Sequence, residues 1–232
     1  MEVLNNGYKL GEAVITRSDK GGLAFKVKVE NLTDGHNVPT GFAAERLIFM
    51  QVTVMDSTGK TIFKSGDYDP NGDVRDHESA YVINGDLPLD DQLFDLRGRI
   101  LVTNSRGGER ERVIPVPYPI TTIPFLRPTT RSLILTGESP VERIHRRSLA
   151  PLAHKWAKYK VDGDLLTGKG PYKAKMDFIA GMAPANLIGA IKNRGFDYGM
   201  SAREVAGNVA AGYEVLASKE LVFDVEGGGD RK

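Results

Sequence analysis

Leu23-Ala24-Phe25-Lys26-Val27-Lys28-Val29-Glu30 alternates apolar and polar side chains along its whole length. A period of two lines one strand face with Leu23, Phe25, Val27 and Val29, so this stretch predicts a strand covering a core on one side. Downstream, Leu47 to Val54, the tight turn Asp56-Ser57-Thr58-Gly59 and Lys60 to Phe63 read as a β-hairpin. Gly59 can take the positive φ that such a turn requires.

Working outward, further strands are predicted at Gly11 to Thr16, Arg99 to Asn104, Arg112 to Val116, Ser132 to Leu135, Lys155 to Val161 and Tyr172 to Ile179. Arg106 to Glu109 reads as a second hairpin turn. Prolines at 115, 117, 119, 124 and 128 make Ile114 to Pro128 extended, because each ring removes a ladder donor. That segment is expected to cross between sheets.

After Ala183 the pattern changes. Pro184 to Ile191 predicts a short helix, and Ser201-Ala202-Arg203-Glu204 is a capping box opening a longer one, with Val205, Val209, Tyr213 and Leu216 on one stripe. Gly207 and Gly212 weaken that helix by about 1 kcal/mol each relative to Ala, which suggests a close backbone neighbour. A final strand, Glu220 to Val225, precedes a Gly-rich tail expected to be disordered.

The fold class that follows is mainly β: an immunoglobulin-like β-sandwich of about seven to nine strands with a C-terminal α-helical extension. Residues 1–182 form the sandwich domain. Residues 183–232 supply the helices, final strand and tail, packed on the same unit.

Composition removes several function classes. The 232-residue chain has no cysteine, so it has no disulfide, thiolate zinc site or iron–sulfur cluster, and no covalently attached c-type haem. With 31 basic and 30 acidic residues its net charge is +1, which gives no field for nucleic acid or an anionic membrane. No apolar run approaches the roughly 18 residues of a membrane span, and the first residues lack the basic and apolar regions of a signal peptide, so neither is expected in this chain.

One constellation carries a resemblance. Asn31-Leu32-Thr33-Asp34-Gly35-His36-Asn37-Val38-Pro39-Thr40-Gly41, then Arg46, Asp56 to Gly59, Ser65-Gly66, Leu87 to Phe94, Thr103-Asn104 and Leu126-Arg127-Pro128 together resemble the haem-free, β-rich C-terminal region of large multihaem c-type cytochromes. The similarity implies a haem-free accessory module for docking or assembly in extracytoplasmic electron transfer, at the periplasm or cell surface. The implied partner is a multihaem cytochrome domain or subunit. The haem-attachment motifs of that family are absent. His36, beside Pro39 and Gly41, is then a candidate axial ligand for a haem held by the partner. The alternative is that its ring bonds loop backbone.

A second constellation, Asp67, Asp69, Asn71, Gly72, Asp73 and Glu78, matches the calcium-loop pattern D-x-[DN]-x-[DN]-G-x5-E. It makes calcium a candidate cofactor and a calcium-stabilised adhesion or binding domain the alternative function. Against it stand a strand-like lead-in, no helix expected over Ser79 to Gly85, and Arg75 at the ninth position. Asp69 to Gly72 is also an ordinary turn sequence.

Arg143 to Arg147 with Lys155-Trp156-Ala157-Lys158-Tyr159 combine cations and aromatics suited to an acidic partner. The plainer reading solvates the arginines and packs Trp156 and Tyr159 inside. No hydrolase, zinc-protease or phosphate-loop motif is present. An enzyme of unrecognised type, with His36, His77 or His154 as general base, is the second alternative.

Overall fold

A computed structural model describes residues 7–39, 46–104, 108–113, 142–145, 147–192 and 197–225. Ten strands are described. They are β1 (Tyr8–Asp19), β2 (Gly22–Asn31), β3 (Leu47–Met55), β4 (Thr61–Ser65), β5 (Arg99–Asn104), β6 (Gly108–Val113), β7 (Glu142–His145), β8 (His154–Asp162), β9 (Tyr172–Gly181) and β10 (Glu214–Phe223). Three short helices join them: α1 (Ala80–Asn84), α2 (Ala185–Lys192) and α3 (Ala202–Ala211).

The strands form a three-stranded sheet ordered β1-β2-β8 and a four-stranded sheet ordered β10-β9-β3-β4, both antiparallel. A smaller sheet, β6-β5-β7, stands apart in the pairing. The first two pack as a sandwich because each offers an apolar face at period two. Leu23, Phe25, Val27 and Val29 of β2 meet Ile48, Met50, Val52 and Val54 of β3 in one core, joined by Tyr159 and Val161 of β8 and Met176 and Phe178 of β9. The alternation that begins at Leu23 therefore becomes the inner wall, and Lys26 and Lys28 face outward.

Four expectations need correction. The strand expected from Arg112 already begins at Gly108 and is described to Val113, residues 114–116 of the expected span lying outside the described residues. A helix does follow the acidic loop: α1 is capped by Ser79, whose hydroxyl accepts from Val82 N–H, and ended by Gly85 at φ 83°. The capping box of Ser201 and Glu204 opens α3 as expected, but the helix stops at Ala211, so Leu216 belongs to β10 rather than to a helical stripe. No described residue lies within 4 Å of where a Gly207 Cβ would stand, so no described backbone crowds it, and Gly212 is simply the C-cap.

The final strand is longer than expected, ten residues paired along β9 at the edge of the four-stranded sheet. The predicted strand at 132–135, the proline-rich segment 114–128, the centre of the 106–109 turn and the tail at 227–232 lie outside the described residues.

Candidate functional site

The outer face of the four-stranded sheet is apolar where β3 and β9 adjoin. Leu47, Phe49 and Ile179 project there and form a second small core with Val74 and Leu93, flanked by Tyr68 and Tyr213. The rings pack edge-on: Phe49 to Tyr68 at 6.0 Å and Phe49 to Tyr213 at 6.4 Å between centroids. Residues 67–95 cover this face, which buries parts of a long connection, Asp69, Asp73, Asp76, Ser79 and Asp95 among them, whose polar groups need partners.

The acidic side chains supply those partners. Asp69 Oδ1 accepts the backbone N–H groups of Asn71 at 2.7 Å and Asp73 at 3.1 Å, while its Oδ2 accepts the Ser79 hydroxyl at 2.6 Å. Asp90 Oδ2 accepts from Ser65 Oγ and Gly66 N–H, at 2.9 and 2.6 Å, pinning the loop to the end of β4. Asp73 Oδ1 accepts Asn186 N–H at 2.9 Å, so this carboxylate sits at the first turn of α2.

At the centre lies Arg97, whose side chain is only 2% exposed. Its Nη2 is 2.5 Å from Glu78 Oε2 and its Nη1 is 3.8 Å from Asp76 Oδ2. A second arginine, Arg75, holds Asp67 through both Nε and Nη2, at 2.9 and 2.7 Å. Arg147 pairs with buried Asp95 at 2.8 Å. Burial pushes the Asp73 carboxyl up to about 7, with neighbouring Asp69 and Asp76 adding to the rise and the Asn186 N–H and Arg97 opposing it.

These contacts bear on the five candidate calcium ligands. Asp67 is turned to Arg75, Asp69 to backbone and Ser79, Asp73 to α2, and Glu78 to Arg97, so these four serve internal donors rather than one common point, while Asn71 is exposed and gives its backbone N–H to Asp69. Among the described residues no group of three or more His, Asp or Glu side chains is arranged to hold a metal ion. The donor set does not fit calcium: a buried guanidinium already stands among the carboxylates. Arg97 itself carries no motif. Its signal in the sequence is indirect, nine acidic residues against one arginine over 67–95, a charge excess whose buried members need a cation from outside the segment.

His36 stands on the other loop. That loop is stapled by buried Asn31, whose amide donates to the carbonyls of His36 at 3.0 Å and Ala150 at 2.9 Å, and by reciprocal backbone bonds between Val38 and Leu149. The ring is exposed. Its Nδ1 lies 3.1 Å from the Asn37 carbonyl, which only accepts, so in the neutral ring this contact selects the tautomer with Nδ1–H and the lone pair on Nε2. His77 is exposed in the acidic loop, and His154 is exposed at the start of β8 opposite Glu30.

No family model matches this chain, and no curated protein does either. Among solved structures the match is one of shape. The chain resembles a penta-heme cytochrome c552 from Thermochromatium tepidum. The TM-score is 0.50 and the identity 14%, over 96% of this chain and 41% of the cytochrome's. At that identity the likeness is one of fold, to part of a multihaem cytochrome. With no cysteine, this chain has none of the Cys-x-x-Cys-His sites that attach a c-type haem.

Proposed function

We infer that the chain is a non-catalytic, haem-free accessory module of a multihaem cytochrome, acting in docking or assembly for extracytoplasmic electron transfer. One observation carries this reading: nearly the whole chain matches part of a penta-heme cytochrome while lacking every cysteine that haem attachment needs. Three plus four antiparallel strands around one core also suit an immunoglobulin-like scaffold, whose role is to present loops.

His36 is the residue through which such a module would touch a haem of its partner. Its ring is exposed, its Nδ1–H is held by a backbone carbonyl, and that bond leaves Nε2 as the donor atom. A bound haem would supply electron transfer; the chain's part is to aim and hold the imidazole. No comparable observation favours calcium.

The test begins with the reading frames around the gene, where Cys-x-x-Cys-His repeats should be encoded within or beside this chain's own frame. The multihaem cytochrome so identified, mixed with this chain, should co-elute with it on gel filtration, and separate elution at low salt would sink the reading. Within the complex, His36→Ala should alter the low-spin haem spectrum; an unchanged spectrum would leave His36 a loop residue only.

A further inference from the structure

The outward face of the three-stranded sheet is basic although the whole chain is nearly neutral. Lys26 on β2 and Lys158 on β8 are directly opposed in the register, and Ala24 opposes Lys160. Like charges directly across a sheet are destabilising. Two neighbouring cations are paired: Lys28 bonds Glu30 at 3.0 Å and Arg17 bonds Asp19 at 2.9 Å. Lys26, Lys158 and Lys160 make no ion pair with a described residue. Lys26 instead lies 4.3 Å from the centroid of the Trp156 ring.

These three lysines border a groove of about 400 Å³ that Thr16 and Gln92 also line. Gln92 forms its rigid side, since its amide exchanges two bonds with the backbone of Lys160, at 3.0 and 2.6 Å. The groove thus has a fixed wall, a half-buried aromatic beside it and three lysines along its border, with the carboxylates of Glu12 and Asp162 further out on the same sheet.

We propose that this face, centred on Lys26, Trp156, Lys158 and Lys160, is a docking surface for a carboxylate-rich protein segment. Charge complementarity selects the occupant: three flexible ammonium groups suit dispersed carboxylates. A duplex nucleic acid is the poorer fit, because its binding draws on many phosphate contacts and a strong positive field, and a net charge of +1 provides none. The proposal stands independently of the cytochrome reading, and it takes up Trp156 and Lys158 of the cation–aromatic surface expected from the sequence.

Trp156 is the chain's single tryptophan, so its fluorescence reports on this surface directly. Titration with a synthetic Glu-rich peptide at low salt should give a saturable change that weakens as salt is added. Lys158→Glu should weaken that binding at least ~10-fold. Its melting temperature should match or exceed the parent's, because the Lys26–Lys158 opposition becomes an attractive pair. Lys158→Gln, which only neutralises, should show a smaller loss and serves if the reversal fails to fold. A flat titration, or unchanged affinity in both variants, overturns the proposal. So does tighter binding of inorganic phosphate, of duplex DNA, or of vesicles made from equal parts phosphatidylcholine and phosphatidylserine.

Discussion

Withdrawing a guanidinium from water is costly, and Arg97 is tolerated at 2% exposure because Glu78 and Asp76 lie against it. The dependence runs both ways. Arg97→Met should destabilise the protein by about 3–5 kcal/mol, since it leaves those carboxylates buried without their counter-charge. Urea unfolding measures this, and a parent-like midpoint would mean the acids are satisfied by other groups. Asp73 gives a prediction of opposite character. Its folded pKa is raised to about 7, so between its unfolded value near 4 and pH 7 the folded state holds a proton that the unfolded state has released. The stability this adds is complete below about pH 4, declines as pH rises and is gone above about 7. Asp73→Asn should flatten that slope, matching the parent in acid and exceeding it above neutrality; parallel melting curves for the two proteins across this range would refute it. Neither residue was legible alone. The Asp67 to Glu78 pattern marks carboxylates at calcium spacing, but which cation they face depends on a residue nearly twenty positions further on.

Two glycines separate crowding from freedom among the elements. A Cβ on Gly181, at the end of β9, would stand 2.5 Å from Tyr213 Cε1 and 2.6 Å from Cδ1. Gly181→Ala should therefore displace that ring from the small outer core and cost about 1–3 kcal/mol. Gly207, inside α3, meets no described residue within 4 Å, and Gly207→Ala should stabilise by about 0.5–1 kcal/mol. Equal effects of the two substitutions in thermal melts would contradict the packing. Elements that rest on local chemistry were readable: the period-two run from Leu23 to Glu30, the turn closed by Gly59, the capping box at Ser201. Those set by distant contacts were not. Helix α1 has only five residues, Val82 and Ile83 among them β-branched; its cap Ser79 is itself fixed by the Asp69 carboxylate ten residues back, a contact the local sequence does not announce. Helix α3 ends where pairing to β9 captures the chain from Glu214 onward, a competition no local stripe reveals.

For the whole molecule, the carboxylates of the outer loop layer are taken by arginines and by hydrogen bonds to the end of β4, so added calcium or chelator should leave the melting temperature unchanged; a clear rise with millimolar calcium would restore the calcium-loop reading. The apolar alternation was enough to give a sandwich but not its order, because β2 pairs with β8 across more than a hundred residues and nothing in either strand names its partner. The position of β10 sets a timetable as well as a topology. The four-stranded sheet lacks one of its edges until residues near Phe223 are available, and Ser18 of the first strand bonds the carbonyl of Asp224 beyond the last. A ribosome therefore releases β9 with one side unpaired, and the four-stranded sheet is complete only once residues 214–223 have emerged. For that interval the nascent chain offers a bare strand edge, to a chaperone or to a neighbouring copy, whichever arrives before β10 does.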